Sequence, residues 1–396
     1  VMVPKGWKIV TLKDLLDGQI KNGYSPNATD SETGYWVLSL GALADEGINS
    51  SGIKPVLPEE KVLQNLLKKD DFLVSRSNTP DKVGRSIRFK NEIENCSYPD
   101  LMMRFRIDDT KADKEFIEQQ LKSSTVRAYF KNCAAGSSST MVKINKGILE
   151  KTPIVVPPIK EQKKIAQVLF AWDKAIAATE KLLTNSQQQK KALMQQLLTG
   201  KKRLLDERGV RYGGEWHRAE LGAVLDYMQP TPYLVDSTDY NDSYSIPVLT
   251  AGKSFILGYT NEEHGIYHAP LPAIIFDDFT TDSKFVDFEF KAKSSAMKIL
   301  TAKKGVSAKY IFEAMQMLKF KIGGHQRHWI SIYSNLVIPI PDAKEQQKIA
   351  AVLSAADVEI STLEKKLACL KDEKKALMQQ LLTGKRRVKV DEAVAA

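Results

Sequence analysis

Twelve residues, KKALMQQLLTGK, occur twice in this chain, at Lys190–Lys201 and at Lys374–Lys385. The copies are identical, and weaker similarity flanks them at the same offset of 184 positions. Pro157 matches Pro341, Glu161 matches Glu345, and Asp173 matches Asp357. Each repeat opens on a proline-bounded strand, PIVVPP or VIPIP. It continues as KEQKKIAQVL or KEQQKIAAVL and ends in the identical block. The chain must therefore build the same element twice, with a domain's worth of different sequence between the copies.

The periodicity of the repeats is helical. Ile165, Leu169, Trp172, Ile176, Thr179, Leu183, Ser186, Lys190, Leu193 and Leu197 alternate by four and three. Ile349, Leu353, Ala356, Ile360, Leu363, Leu367, Leu370, Lys374, Leu377 and Leu381 do the same. A mostly apolar seam at this spacing over several heptads predicts a coiled coil. Thr-Gly closes each helix, with Gly200 and Gly384 placed as C′ glycines, and prolines bar an earlier start. The heptads alone fit a parallel or an antiparallel pair. Layer-for-layer matching sets the polar layers Ser186 and Lys190 against Leu370 and Lys374, where they would fix register.

Domains of mixed α+β character precede each helix. GWKIVTLKDLLD, with Trp7, Leu12 and Asp17, opens the first; EWHRAELGAVLD, with Trp216, Leu221 and Asp226, opens the second. Short strands are expected at DFLVSR, MMRFRI and MVKIN, then at IPVLTA, AIIFDD, FVDFEFKA and AMKIL. One moderate helix is expected near each domain's end, DKEFIEQQLKSSTVRAYF and SAKYIFEAMQMLKF. The plan is a pseudo-twofold internal repeat: non-identical domains at 1–157 and 204–341, long helices at 158–203 and 342–387, and a tail at 388–396.

Net charge is +10, which suggests nucleic acid. The surplus sits in the repeats, however. Residues 160–203 carry 10 basic and 3 acidic groups, residues 342–387 carry 10 and 7, and the remainder is balanced. Lysines and arginines at the helix ends also complement the helix dipole. No run of about 18 apolar residues suggests a membrane span, and the start lacks a signal-peptide layout. Three scattered cysteines, Cys96, Cys133 and Cys369, lack metal or disulfide spacing, so a reduced cytoplasmic compartment is expected.

With its duplicated KEQ-KIA-VL…KALMQQLLTGK helices, paired Trp7 and Trp216 entries, and the stretches FLVSRSNTPDKVGRS and AIIFDDFTTDSKFVDFEFKAKSSAMKIL, the chain resembles the DNA-specificity subunit of type I restriction-modification systems over essentially its whole length. That resemblance implies two target recognition domains, each reading one half of a bipartite double-stranded DNA sequence. It implies an antiparallel coiled coil as spacer and as dock for two adenine methyltransferase subunits, with restriction-translocase subunits joining the full complex. It also implies a chain without catalysis or cofactor of its own, S-adenosylmethionine, ATP and Mg²⁺ belonging to the partners. Gln195, Gln196, Gln379 and Gln380, on the repeated block, are the candidate partner contacts.

Candidate DNA contacts follow from side-chain chemistry. In the first domain VSRSNTPDKVGRS offers Ser75, Arg76, Asn78, Thr79 and Arg85. Arginine grips guanine bidentately, asparagine grips adenine, and hydroxyls bind phosphate. GSSSTMVKIN adds Ser138, where small residues admit a close backbone approach, and Lys143. Arg104 and Arg106 share one strand face, as a phosphate track or as an ordinary solvated face. In the second domain Lys253 and Thr280 are candidates, and GGHQRHW concentrates His325, Gln326, Arg327 and His328.

Two other classes compete. Asp277 or Asp278 with Glu289 and Lys291 imitates the acidic-plus-lysine pattern of metal-dependent nucleases; the carboxylates could equally accept from cytosine amino groups. A scaffold whose domains bind protein rather than DNA is the other. His264 and His268 form an i, i+4 pair without a cysteine, and no metal is expected. PVLTAGKS ends like a phosphate loop, but Pro247 stands where its first glycine is required. No dinucleotide fingerprint and no Asn-Pro-Pro-aromatic tetrapeptide occurs.

Overall fold

A computed structural model describes residues 3–45, 47–138, 141–250, 252, 254–318 and 328–390. Two compact units divide the chain. One is continuous, 182–364; the other joins 1–181 to 365–396. Both expected long helices form, at Ile159–Leu197 and Ala343–Leu381, 39 residues each. Each contributes a segment to both units.

Within each unit the two helical segments run antiparallel. In the discontinuous unit Lys374 Nζ reaches Asp173 Oδ1 at 2.5 Å and Lys371 Nζ reaches Glu180 Oε1 at 2.7 Å, so one helix descends as the other rises. In the continuous unit Lys190 Nζ lies 2.6 Å from Asp357 Oδ1, and Ser186 Oγ donates to Glu359 Oε1 at 2.9 Å. Lys190–Asp357 and Lys374–Asp173 are the same pair, displaced by one repeat. The expected layer of Ser186 and Lys190 against Leu370 and Lys374 is therefore wrong. Matching repeat to repeat presumes parallel layers, whereas antiparallel packing sets each Lys against an Asp.

The two units share a topology. A two-stranded antiparallel ladder, Lys8–Thr11 with Pro153–Val156, lies at the helix entry of the first. His217–Glu220 with Val337–Ile340 is its counterpart. A four-stranded antiparallel sheet follows: Lys21–Asn22, Met102–Phe105, Phe72–Ser75 and Ser86–Arg88 in spatial order. In the second unit the order is Leu225–Met228, Met297–Ala302, Ala273–Asp277 and Ser283–Val286. Each unit also has a three-stranded sheet with one parallel pairing, Cys96–Ser97 on Trp36–Leu38 and Lys291–Ala292 on Ile246–Leu249. FVDFEFKA is thus split between two sheets.

The helix expected across 113–130 is two helices, Lys114–Lys122 and Ser124–Cys133. Ser123 is the break. Its backbone is extended, and its Oγ accepts from Val126 N–H, so the serine caps the second helix instead of continuing the first. In the continuous unit Ala308–Met317 forms as expected.

The shared landmarks converge at the helix entries. Trp7 Nε1 donates to Glu161 Oε2 at 3.1 Å, and Arg387 Nη2 reaches the same carboxylate at 2.8 Å. Trp216 Nε1 donates to Glu345 Oε2 at 3.0 Å, and Arg203 grips Glu345 bidentately at 2.6 and 2.7 Å. The adjacent glutamines clamp the chain on both sides. Gln162 donates to Pro157 O and accepts from Asp113 N–H; Gln346 donates to Pro341 O and accepts from Ser307 N–H. Gly384 has φ +74°, and a Cβ there would stand 2.5 Å from Pro4 Cγ, so the turn admits only glycine without displacement.

The core crosses the sequence order. Leu381 and Leu382, from the second copy of the block, are buried with Trp7, Leu12, Phe116 and Ile154. Leu197 and Leu198, from the first copy, are buried with Leu221, Tyr310, Ile338 and Leu353. Each copy completes the core of the unit whose recognition-type domain it does not follow.

Lys190 and Lys309 also control the titration of Asp357. Burial pushes this carboxyl up, but hydrogen bonds from Lys190 and Lys309 outweigh it and hold the group below the ordinary carboxylate range. A depressed folded value gives stability that is present above the unfolded value and is lost as pH falls through the folded one. Unfolding of the continuous unit should therefore sharpen in acid below about pH 4. An Asp357→Asn variant, measured by denaturant unfolding from pH 7 to pH 2.5, should show a flatter acid limb.

Candidate nucleic-acid interface

In the discontinuous unit the two stretches singled out for DNA contact are brought together on one sheet. Ser77–Asn78 pairs with Met141–Lys143, Val142 opposite Asn78 and Lys143 opposite Ser77. Met141–Lys143 pairs in turn with Ala135–Ser138. Thr79 and Lys143 are exposed, and Arg76 and Asn78 are half-buried. Arg76 forms no ion pair among the described residues, while its backbone is held by Leu101 O and Ile144 N–H. Of Ser138, the backbone alone belongs to the described structure.

The loop between Ser75 and Ser86 is fixed from behind. Arg127 donates from Nη1 to Val83 O and from Nη2 to Asp81 O, both at 2.8 Å. Burial lowers the guanidinium's pKa. Lys131 hydrogen-bonds Asp81 and lowers that carboxyl. Gly84, at φ +71°, lies so close to Phe130 that a Cβ would fall 2.4 Å from its ring. Arg127 and Gly84 are supports that the sequence reading missed; only the threading of a loop over a helix makes them visible. Lys82 is exposed on this loop.

Several candidates turn inward. Ser75 is fully buried, its Oγ 3.4 Å from Ser77 O. Arg85 is tied to Asp45 Oδ1 at 3.2 Å and donates to Leu43 O. Arg104 and Arg106 are neither a phosphate track nor a merely solvated face: they close on the buried carboxylate of Asp71, at 3.6 and 2.7 Å. Such groups shape the surface by holding its backbone.

In the continuous unit the corresponding position is the turn from Asp277 to Asp282. Asp277 Oδ1 accepts from the N–H groups of Phe279 and Thr280, an Asx turn that leaves Phe279 and Thr280 exposed. His328 is fully buried, its Nδ1 2.9 Å from Asp278 O, so it does not face solvent as a base-reading group would. Burial of the adjacent Trp329 draws it in. Lys253, His325, Gln326 and Arg327 lie outside the described residues.

The nuclease pattern is not assembled. Asp278 Oδ1 accepts from Trp329 N–H at 2.9 Å, Glu289 pairs with exposed His268 at 2.8 Å, and Lys291 is buried against Glu262 at 2.7 Å and His264 O. Each group is committed to a different partner. The metal-ligating side chains that do converge among the described residues are Asp236, Glu262 and His264. There Lys291 and the N–H groups of Asp236 and Ser237 already satisfy Glu262.

Comparison with known proteins decides the family. The model of the type I restriction modification DNA specificity domain matches residues 4–185 and again 214–371. The chain belongs to this family. The first match ends inside one long helix and the second inside the other, so the family's repeating unit includes helix as well as sheet. Among curated specificity subunits, that of the Escherichia coli enzyme EcoR124I/EcoR124II is 54% identical over 145 residues, 35% of each chain. The MjaVIII specificity subunit of Methanocaldococcus jannaschii is 23% identical over 98% of this chain and 94% of its own. Among solved structures, the S subunit from M. genitalium has a TM-score of 0.68 at 15% identity, covering 95% of this chain and 96% of that one. The specificity family's role is DNA target recognition. The nuclease reading of Asp278, Glu289 and Lys291 is thus overturned by both the family and the geometry. No helix among the described residues is long and apolar enough to cross a membrane.

Proposed function

We propose that this specificity subunit reads a bipartite duplex target, one half through each recognition domain, and docks two copies of an adenine methyltransferase subunit on its repeated helices. The observation that carries the docking is the identity of exposed residues. Over Lys190–Leu198 and Lys374–Leu382 the pattern of burial is the same position by position. Leu197, Leu198, Leu381 and Leu382 are held by core packing, and Lys190 and Lys374 by ion pairs. Lys191, Ala192, Gln195 and Gln196, like Lys375, Ala376, Gln379 and Gln380, are exposed. Internal packing leaves these free to differ, and a common partner accounts for their sameness.

DNA reading is assigned to Arg76, Asn78, Thr79 and Lys143 in one domain, and to Thr280 with His325, Gln326, Arg327 and Lys253 in the other. The chain itself supplies specificity. S-adenosylmethionine chemistry belongs to the methyltransferase, ATP and Mg²⁺ to restriction subunits in the full assembly, and the cytoplasm, with its DNA, is the setting.

The test is methylation-site sequencing in a host carrying this subunit with its methyltransferase. Arg76→Ala should relax or weaken one half of the target and leave the other intact, at a cost of about 1–3 kcal/mol for a lost base contact. Arg327→Ala should act on the opposite half. Equal effects of either substitution on both halves would refute the one-domain, one-half assignment.

A further inference from the structure

In the discontinuous unit an open groove of about 580 Å³ runs beside the repeated block. Its floor is apolar, formed by Ile9, Val126, Pro153, Val155, Met378 and Leu382. Lys122, Lys371, Lys374 and Lys375 stand along it; the first three are held by Glu118, Glu180 and Asp173, and Lys375 has no ion pair among the described residues. The helix Ser124–Cys133 opens on the same groove with its N-terminal end, which favours anions.

The continuous unit differs at the equivalent place. Lys190, Lys191, Met194 and Gln195 border a groove of about 510 Å³ with Gln316 and Met317. Thr199, Arg218 and Pro339 line a separate cavity. Their counterparts Thr383, Ile9 and Val155 all line the single groove of the discontinuous unit. The ladder registers fix this correspondence, since Ile9 faces Val155 and Arg218 faces Pro339. Ile9 is 47% exposed and Arg218 is exposed. One apolar side chain in one unit is thus replaced by one cation in the other.

Resting on the reading that two copies of one methyltransferase dock on the repeated blocks, we infer that the two docking surfaces are unequal and that the groove over Ile9 is filled first. Its occupant is an amphipathic helix of the methyltransferase, with an apolar stripe over Ile9 and Met378 and a carboxylate toward Lys375. An identical helix on the continuous unit lays the same apolar stripe over Arg218, in a cavity that Glu215 also lines, and the guanidinium then loses water to an apolar surface. The first copy gains apolar burial; the second meets a desolvated charge. Assembly is therefore stepwise, with a half-loaded complex as a real species.

The experiment titrates the full chain with purified methyltransferase, reading bound copies by native mass spectrometry and affinities by calorimetry. Two dissociation constants should appear, separated by roughly tenfold or more, the scale of one buried side chain. Ile9→Arg should weaken the tight site toward the weak one, and Arg218→Ile should tighten the weak site. Both residues are exposed, and unchanged unfolding midpoints will show that both variants fold. Two copies bound with one constant, unmoved by either substitution, would overturn the inequality and leave the two-copy reading standing. No binding to the unaltered chain would overturn both.

Discussion

Replacing Leu381 and Leu382 with alanine should unfold the discontinuous unit and spare the continuous one. Both leucines are about 2% exposed in the core that holds Trp7 and Phe116. Each buried Leu→Ala change costs about 2–5 kcal/mol, and a domain's whole stability is about 5–15 kcal/mol. The double change therefore removes most of the margin. Leu197→Ala with Leu198→Ala, in the identical block, should act on the other unit, where those residues pack with Tyr310 and Leu353. Hydrogen exchange resolved by mass spectrometry is the readout. Protection should vanish at Phe72–Ser75 and Met102–Phe105 in the first variant, and at Ala273–Asp277 and Met297–Ala302 in the second. The reverse assignment, each block stabilising the domain it follows in sequence, would contradict the crossed core.

Removing the carboxylate of Glu345 should have the other large effect. It is fully buried, and it holds Arg203 bidentately and the Trp216 indole N–H. Deleting one member of a fully buried pair costs about 3–5 kcal/mol; the remaining Arg203 is 20% exposed and partly screened, which places the cost here toward the lower end. Glu345→Ala should lower the stability of the continuous unit on this scale. Glu345→Gln, which keeps an acceptor for Trp216, should lose less. Denaturant unfolding of the two variants separates them, and equal losses would mean that the charge contributes nothing beyond the hydrogen bond.

Much of this architecture is legible in the chain. The duplicated block and its heptads give both helices to within a few residues, because a 39-residue amphipathic pattern leaves little else to form. Strands such as DFLVSR and AIIFDD are found because burial on both faces demands apolar runs. The direction of helix pairing is not legible from heptads, which fit either sense; it depends on Lys190 meeting Asp357, a contact 167 residues apart. The break at Ser123 hides in a helical pattern because capping is a local alternative that propensity does not resolve. At the candidate DNA surface, residue type proposed both Arg76 and Arg85. The structure separates them through Asp45, a partner 40 positions away. The sequence marks His328 as a base contact because a polar, glycine-flanked motif does not disclose that the next tryptophan is buried.

The nesting of one unit inside the other has a consequence for synthesis. The continuous unit has all its residues once position 364 has been added, whereas the discontinuous unit still lacks Leu381, Leu382, Gly384 and Arg387. Its first 181 residues leave the ribosome early and wait with an apolar face uncovered while the inner unit is made. Closing it then joins segments separated by a long loop, but the inner unit, once folded, shortens that loop in effect. The chain thus matures from the inside outward, against the N-terminal-first order of ordinary multidomain proteins. Its most aggregation-prone moment falls before the second copy of the twelve-residue block emerges.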